Sequence, residues 1–404
     1  MNIDTKKLGG PCRCGRGHTM ETRRIIIRGG CVSEFGAHLA AVGLRGKCAA
    51  VYDENTYDAA GLRRPPAQQE IILPPVHLHA DENAVARVLS QLDDAVCFLI
   101  AVGSGTIHDI VRYCAAKRGI PFVSCPTAAS VDGFCSNVSA MTWQGFKLTL
   151  PGIAPVLVLA DLEVIRRAPC HLARSGAGDM IGKYIALLDW NIAHLLTGEQ
   201  FCPVIEGMTR QAVAAVRENP EDFEQLTYGL MLSGLAMQMM GNSRPASGAE
   251  HHFSHFIEMA QPDNPALHGE KVGIGAAIVA GVYHELAEAE DIQQYLHNLR
   301  RPLLEGAFEA RLLPSILEEN AHDCMAGVAP ANIAACWPAI RKMVNETPSR
   351  QALEVLYQGI GAKATPEDIG LAPTQLPGIL DYSPYVRNRL TLLRIRSGFI
   401  AHLY

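Results

Sequence analysis

The sequence predicts an α/β domain built on a Rossmann-like parallel sheet, followed by an all-helical domain. Three features carry this expectation. Short β-branched runs alternate with helical patterns over residues 1–165. After about Asp161 an apolar period near 3.6 takes over. The length of 404 residues exceeds what one ordinary core accommodates and suits two domains.

The expected strands are 24–27, 48–52, 70–73, 96–102, 122–124 and 156–160, with helices at 32–42, 83–92 and 106–117 between them. Apolar strands separated by helices bury both faces, the pattern of a parallel sheet covered on each side. The second domain, 166–404, carries helical patterns at 179–196, 204–218, 226–240 and 272–286. Breaks at Pro203, Pro220, Pro262, Pro302 and Pro330 punctuate it.

Composition limits the function classes. Hydrophobic residues make up 48% and charged residues 19%, as in globular proteins. A net charge of −6 argues against a nucleic-acid or anionic-membrane surface. An anionic substrate would therefore need a local cluster of cations. The twelve cysteines, scattered from Cys12 to Cys336, read as reduced thiols rather than a disulfide framework. The apolar stretch 272–283 is too short and too glycine-rich to span a bilayer. No apolar region follows the opening MNIDTKKLGG, so a secretory signal is not expected and a cytoplasmic location is.

The strand at 96–102 runs into Gly103-Ser104-Gly105-Thr106 and then a helix carrying His108 and Asp109. Glycines let backbone N–H groups approach a phosphate, and the helix dipole favours its charge. The same residues also suit a plain tight turn. Asp53, just past the strand ending at Tyr52, is placed to accept bonds from a ribose, or to serve a turn.

Three stretches of the second half carry metal-ligand chemistry: SGAGDMIGK around Asp179, SRPASGAEHHFSH around His251, and LHGEKVG around His268. One carboxylate and two imidazoles suit zinc, nickel or ferrous iron, with open positions left for substrate. His251 and His255 lie four apart and share a helix face. Lys183 follows Asp179 by one turn, and Lys147 is expected in a turn at 145–147. Near the start, Cys12, Cys14 and His18 form a compact cluster of soft ligands with no fourth evident nearby.

Together these segments resemble the iron-containing alcohol dehydrogenase and dehydroquinate synthase superfamily, and within it the AraM-type branch of the sn-glycerol-1-phosphate dehydrogenases. The resemblance runs from about Ile25 to the C-terminus on GSGTIHDI, PTAASVDGFCS, GAGDMIGKYIALLDW, SRPASGAEHHFSH and LHGEKVGIG. It implies a dehydroquinate synthase-like fold and a divalent metal (Zn, Ni or Fe) held by Asp179, His251 and His268. It implies NAD or NADP lined by Gly103, Ser104, Gly105, Asp109, Thr127 and Ser130, with Asp53 on the adenosine ribose. Asp132 and His255 would meet the substrate at the reacting end, and Lys147 and Lys183 its phosphate. The implied reaction is the reversible reduction of dihydroxyacetone phosphate to sn-glycerol 1-phosphate. A glycerol dehydrogenase or a dehydroquinate-synthase-like lyase is the alternative, although the lyase uses a glutamate where this chain has Asp179. A homodimer is implied, and the segment near 385–393 is a candidate interface.

Overall fold

The computed structural model describes residues 3–297 and 304–400. The break expected at Pro302 lies outside the described residues. The chain forms two compact units, residues 1–180 with 207–243, and residues 181–206 with 244–404. These limits depart from the boundary expected at 165, because the helices of 207–243 cluster with the α/β part. Both internal limits, at 180/181 and 206/207, fall inside unbroken helices.

The first unit opens with a small antiparallel hairpin, β1 (Gly10–Pro11) and β2 (Gly17–His18). Then follow β3 (Arg24–Arg28), α1 (Phe35–Ala41), β4 (Lys47–Asp53), the single-turn α2 (Glu54–Tyr57), β5 (Gln69–Leu73) and α3 (Glu82–Gln91). Next come β6 (Val96–Gly103), α4 (Gly105–Arg118) and β7 (Phe122–Pro126), then the hairpin β8 (Val138–Trp143) and β9 (Phe146–Pro151), then β10 (Leu157–Asp161) and α5 (Leu162–Ile165). All six expected strands are present. They pair in parallel in the order β3-β10-β7-β6-β4-β5.

Alternation along the central strands divides the core by face. Ala49, Val51, Leu99 and Ala101 pack on one side with Val85, Val88, Ile110 and Phe122. Ala50, Tyr52, Phe98, Ile100 and Val102 pack on the other with Ile26, Phe35 and Leu157. Side chains of successive strand residues point to opposite faces, so a run apolar at every position is buried on both. The β8–β9 hairpin is an addition the strand expectation lacked. It stands apart from the six-stranded sheet as its own two-stranded ribbon.

The long α6 (Cys170–Thr197) and α7 (Pro203–Glu218) come next, then α8 (Phe223–Met240). Pro203 starts α7, and Pro220 follows its end. In the first unit α8 lies close to the turn at 133–135, where a Cβ on Gly234 would sit 2.8 Å from Cys135 Cβ.

The second unit is helical: α9 (Ala249–Ala260), α10 (His268–Ala287), α11 (Leu313–Glu319), α12 (Pro330–Asn345), α13 (Arg350–Gly359), α14 (Leu376–Tyr382) and α15 (Leu392–Phe399). Asp189, buried in α6, joins them. Its carboxylate accepts from Ala249 N and Leu392 N, each at 2.9 Å, and from the Tyr283 hydroxyl at 2.9 Å. It thereby serves the N-termini of α9 and α15, whose first N–H groups have no intrahelical acceptor. The segment 385–393, expected as an amphipathic interface, is instead largely interior. Tyr385, Val386, Leu390, Leu392 and Leu393 are at most 3% exposed, so they belong to the unit's own core. No described helix is long and apolar enough to cross a membrane.

Candidate active site

Strand β4 pairs with β6 through Val51 and Ala101, so Asp53 and Gly103 lie side by side two residues further on. Sequence order reverses here, since β5 continues to one side of β4 while β6 returns on the other. Such switch points open a crevice at the carboxyl ends of the strands. Gly103 and Gly105 are required by packing. A Cβ on Gly103 would meet Ile107 Cγ1 at 2.8 Å, and one on Gly105 would meet Val131 Cγ2 at 2.7 Å. Ser104 stands at the N-cap of α4 in extended conformation and makes no side-chain cap bond. The loop is tied down from two sides. Thr127 N donates to Gly103 O at 3.1 Å, and His108 Nδ1 contacts Ser104 O at 2.9 Å.

Asp53 caps α2, accepting from Thr56 N at 3.0 Å and Thr56 Oγ1 at 2.7 Å. An ionised carboxylate has further lone pairs, so this role leaves acceptor capacity for a ribose. Asp109 is paired with the fully buried Arg112 at 2.5 Å. Arg112 in turn donates to the carbonyls of Ser136 and Gly133. Asp109 therefore braces the turn that follows Asp132. Ser130 is buried, and its hydroxyl has no hydrogen-bond partner among the described residues.

Helix α6 presses on the 129–132 loop. A Cβ on Gly176 would fall 2.0 Å from the Ala129 carbonyl oxygen, so only glycine fits. One turn on, Asp179 Oδ2 accepts from Asp132 N at 3.0 Å. The Asp132 carboxylate accepts from Ser233 Oγ at 2.7 Å. Further along, a Cβ on Gly182 would meet Val272 Cγ1 at 2.7 Å and Glu250 Cγ at 3.3 Å, which fixes α6 against the starts of α9 and α10.

Within the second unit the rings of His251 and His268 stand with centroids 5.2 Å apart, while Asp179 lies at the end of the first unit on α6. Each histidine has a carboxylate at Nδ1. Glu250 Oε1 lies 2.7 Å from that atom of His251, and Glu258 Oε1 lies 2.8 Å from that of His268. Bonding at Nδ1 sets the tautomer and leaves Nε2 as the ligand nitrogen, the usual outer-shell arrangement of a metal-binding imidazole. One carboxylate and two oriented imidazoles therefore fit a divalent cation. Glu258 was missed in the sequence, although the spacing 251, 255, 258 places all three on one helix face.

His255 is buried, with its ring centroid 5.8 Å from that of His268 and 6.0 Å from that of His251. Burial pushes its pKa well below 6.5, with Glu258 opposing and Arg387 reinforcing the shift. Its Nδ1 has no hydrogen-bond partner among the described residues. Of the cations near these motifs, Lys183 is completely buried and not a solvated surface charge. Lys271 donates to Ala266 O at 2.7 Å, and Arg244 pairs with Glu199 at 2.8 Å. Lys147 is not in a turn but in β9, opposite Thr142, just after the turn at Gln144-Gly145, whose φ angles are 51° and 79°. Arg387, 8% exposed, escaped the sequence reading because no motif surrounds it.

Residues 26–169 match the family model for iron-containing alcohol dehydrogenases. The chain is 38% identical over 322 residues to a glycerol-1-phosphate dehydrogenase (NAD(P)+) of Bacillus licheniformis, covering 74% of this chain and 80% of that one. An enzyme of the same name from Geobacillus thermodenitrificans is 31% identical over 95% of this chain and 94% of its own. That from Thermococcus kodakarensis is 32% identical over 75% and 88%. Among solved structures, a sulfoacetaldehyde reductase from Bifidobacterium kashiwanohense in complex with NAD+ superposes with a TM-score of 0.59 at 15% identity, covering 94% and 97% of the two chains. That level of identity speaks for the fold alone. With a parallel sheet, a helical second half and full-length relatives above 30% identity, the chain belongs to the glycerol-1-phosphate dehydrogenase (NAD(P)+) family of iron-containing alcohol dehydrogenase-like oxidoreductases.

Proposed function

We propose that this protein reduces dihydroxyacetone phosphate to sn-glycerol 1-phosphate with NADH or NADPH, reversibly. The observation that carries the reading is the pair His251 and His268 in the second unit, each imidazole fixed by a carboxylate, with Asp179 as the third ligand that the family resemblance implies. When bound there, a divalent ion (zinc, nickel or ferrous iron) supplies Lewis acidity at the substrate's C2 oxygen, while the dinucleotide supplies the hydride.

The chain's own residues position the reactants. Gly103, Ser104 and Gly105 at the start of α4, with Thr127 and Ser130 beyond β7, hold the pyrophosphate and nicotinamide side of the dinucleotide. Asp53 holds the adenosine ribose. Asp132, steadied by Ser233, orients the substrate hydroxyl, and His255 offers a buried neutral imidazole to the oxygen that gains the proton. The phosphate is held by Lys183, one turn past Asp179, and by Arg387, whose field reaches His255 and Glu258. Lys147 on β9 is the more distant candidate. We further assign the enzyme to the cytoplasm as a homodimer, which light scattering of the purified chain would check.

The test is NADH oxidation by metal-reconstituted protein with dihydroxyacetone phosphate, with the product's stereochemistry identified. Formation of sn-glycerol 1-phosphate is the expected result. Turnover of dihydroxyacetone without turnover of its phosphate would move the protein to the glycerol dehydrogenases. The variant His251→Ala should lose turnover by several orders of magnitude and retain NADH binding. Wild-type turnover in that folded variant would refute the ligand assignment.

A further inference from the structure

The N-terminal hairpin carries two thiols that the dehydrogenase reaction does not use. Its turn is closed by Cys12 N donating to Arg16 O at 2.8 Å and Gly15 N to Cys12 O at 2.9 Å. Gly15 holds φ at +84°, the left-handed region that favours glycine, directly after Cys14. The turn brings Cys14 Sγ to 3.4 Å from His18 Nε2. The sulfurs of Cys12 and Cys14 lie within 4.8 Å of each other. Both residues are partly exposed, and neither is in a disulfide.

His18 is buried, and its Nδ1 meets the Met239 carbonyl of α8, in the same compact unit, at 2.8 Å. A carbonyl only accepts, so Nδ1 carries the proton and Nε2 keeps its lone pair. Nε2 therefore accepts the Cys14 S–H and is placed to take its proton. The thiolate so formed is the reactive state of cysteine, and the exposed Arg13 and Arg16 on either side supply positive charge for it. Other thiols of this unit stand in a different setting. Burial pushes Cys31 and Cys114 up to about 12, and it raises Cys48, Cys125 and Cys135 as well. The exposed Cys97 donates to the Ala95 carbonyl at 3.6 Å, an acceptor that takes no proton.

We propose that Cys14 is a site of reversible oxidation by hydrogen peroxide, with Cys12 as its resolving thiol. The Cys14 thiolate attacks one peroxide oxygen and the O–O bond breaks. Hydroxide leaves and takes the proton held on His18, which gives a sulfenic acid and water. The Cys12 sulfur then attacks the sulfenic sulfur. The S–O bond breaks, and the oxygen departs as water with the Cys12 proton. Two thiols lose two electrons to one peroxide, yielding the Cys12–Cys14 disulfide and two waters. A thiol reductant reverses the change by exchange.

Peroxide treatment of the full-length protein, followed by denaturation and tryptic mass spectrometry, tests this. Trypsin cuts at Arg13, between the two cysteines, so the disulfide appears as peptides 8–13 and 14–16 joined together. The expected result is that this linkage forms before the exposed Cys97 and Cys170 are oxidised, and that dithiothreitol removes it. In Cys12→Ser, dimedone should label Cys14 ahead of Cys97 and Cys170. His18→Gln should slow the linkage at least about 10-fold at neutral pH and move its rate profile toward alkaline pH, a shift that a merely structural role would not produce. Absence of the linkage from the wild-type protein would overturn the proposal without need of any variant. Earlier oxidation of Cys97 or Cys170, or an unchanged rate and profile in His18→Gln, would overturn it too. None of these readouts depends on whether dihydroxyacetone phosphate is turned over.

Discussion

Glu250 and Glu258 touch histidines, and their effect on chemistry passes through those rings. Glu250 Oε1 also accepts from Gly248 N at 2.9 Å, so its own position is fixed before any ion arrives. Replacing either carboxylate by its amide should weaken metal affinity by roughly 10–100-fold, read by competition with a chromogenic chelator. Wild-type affinity in Glu258→Gln would remove it from that role. Asp53→Asn should shift cofactor preference toward NADPH, measured as the ratio of kcat/KM values, because the repulsion of a 2′-phosphate is lost. An unchanged ratio would leave Asp53 as a helix cap alone. At this scale the sequence was most informative where ligand chemistry is distinctive, as for the histidines at 251, 255 and 268. It was least informative for Arg387, which reaches its neighbours only through the fold.

Glycines decide how closely the elements approach. The glycine loop was read as a backbone opening for phosphate, and packing adds an independent reason, because Ile107 and Val131 fill the space above Gly103 and Gly105. Gly176→Ala is the sharper probe, since its Cβ would strike a backbone oxygen that cannot rotate away. A loss of about 1–3 kcal/mol or more is expected in urea unfolding, with a fall in metal affinity as α6 withdraws from Asp132. Stability equal to wild type would mean the loop yields freely. The six strands and the long helices were legible because each keeps one period over many residues. The β8–β9 hairpin was not. Its strands are only partly buried and lack an uninterrupted apolar run, and the turn at Gln144-Gly145 was read as a place for Lys147.

Among the buried titrating groups, His108 and Asp189 respond to pH with opposite sign. His108, bonded to Ser104 O and Ser124 Oγ, is pushed by burial from 6.5 down to about 3. The unfolded chain takes up that proton as pH falls through 6.5 and the folded chain does not. Stability is therefore lost in acid at about 1.4 kcal/mol per pH unit until roughly pH 3. Asp189 is pushed by burial from 3.8 up to about 7, against the bonds from Leu392 and Ala249. The folded chain keeps a proton that the unfolded chain has released, so this contribution is present in acid and disappears as pH rises to 7. Between about pH 4 and 6.5 these two slopes oppose each other, and His252 and His255, also depressed by burial, add to that of His108. His108→Gln should make stability rise less steeply with pH than in wild type over that range, and Asp189→Asn more steeply, in urea melts across a pH series. Parallel curves for both variants and wild type would contradict these assignments.

Helix α6 has a consequence for how such a chain can change over time. In the first unit it presents Gly176 to the Ala129 carbonyl and Asp179 to Asp132 N, and in the second it presents Gly182 beneath Glu250 and Asp189 to two helix N-termini. Adding or deleting a single residue between any two of these turns one set by about 100° relative to the next. No neighbouring loop can absorb that rotation, because the helix is unbroken from Cys170 to Thr197. Chains of this family are therefore expected to accept substitutions along this rod while confining their differences in length to other parts of the sequence.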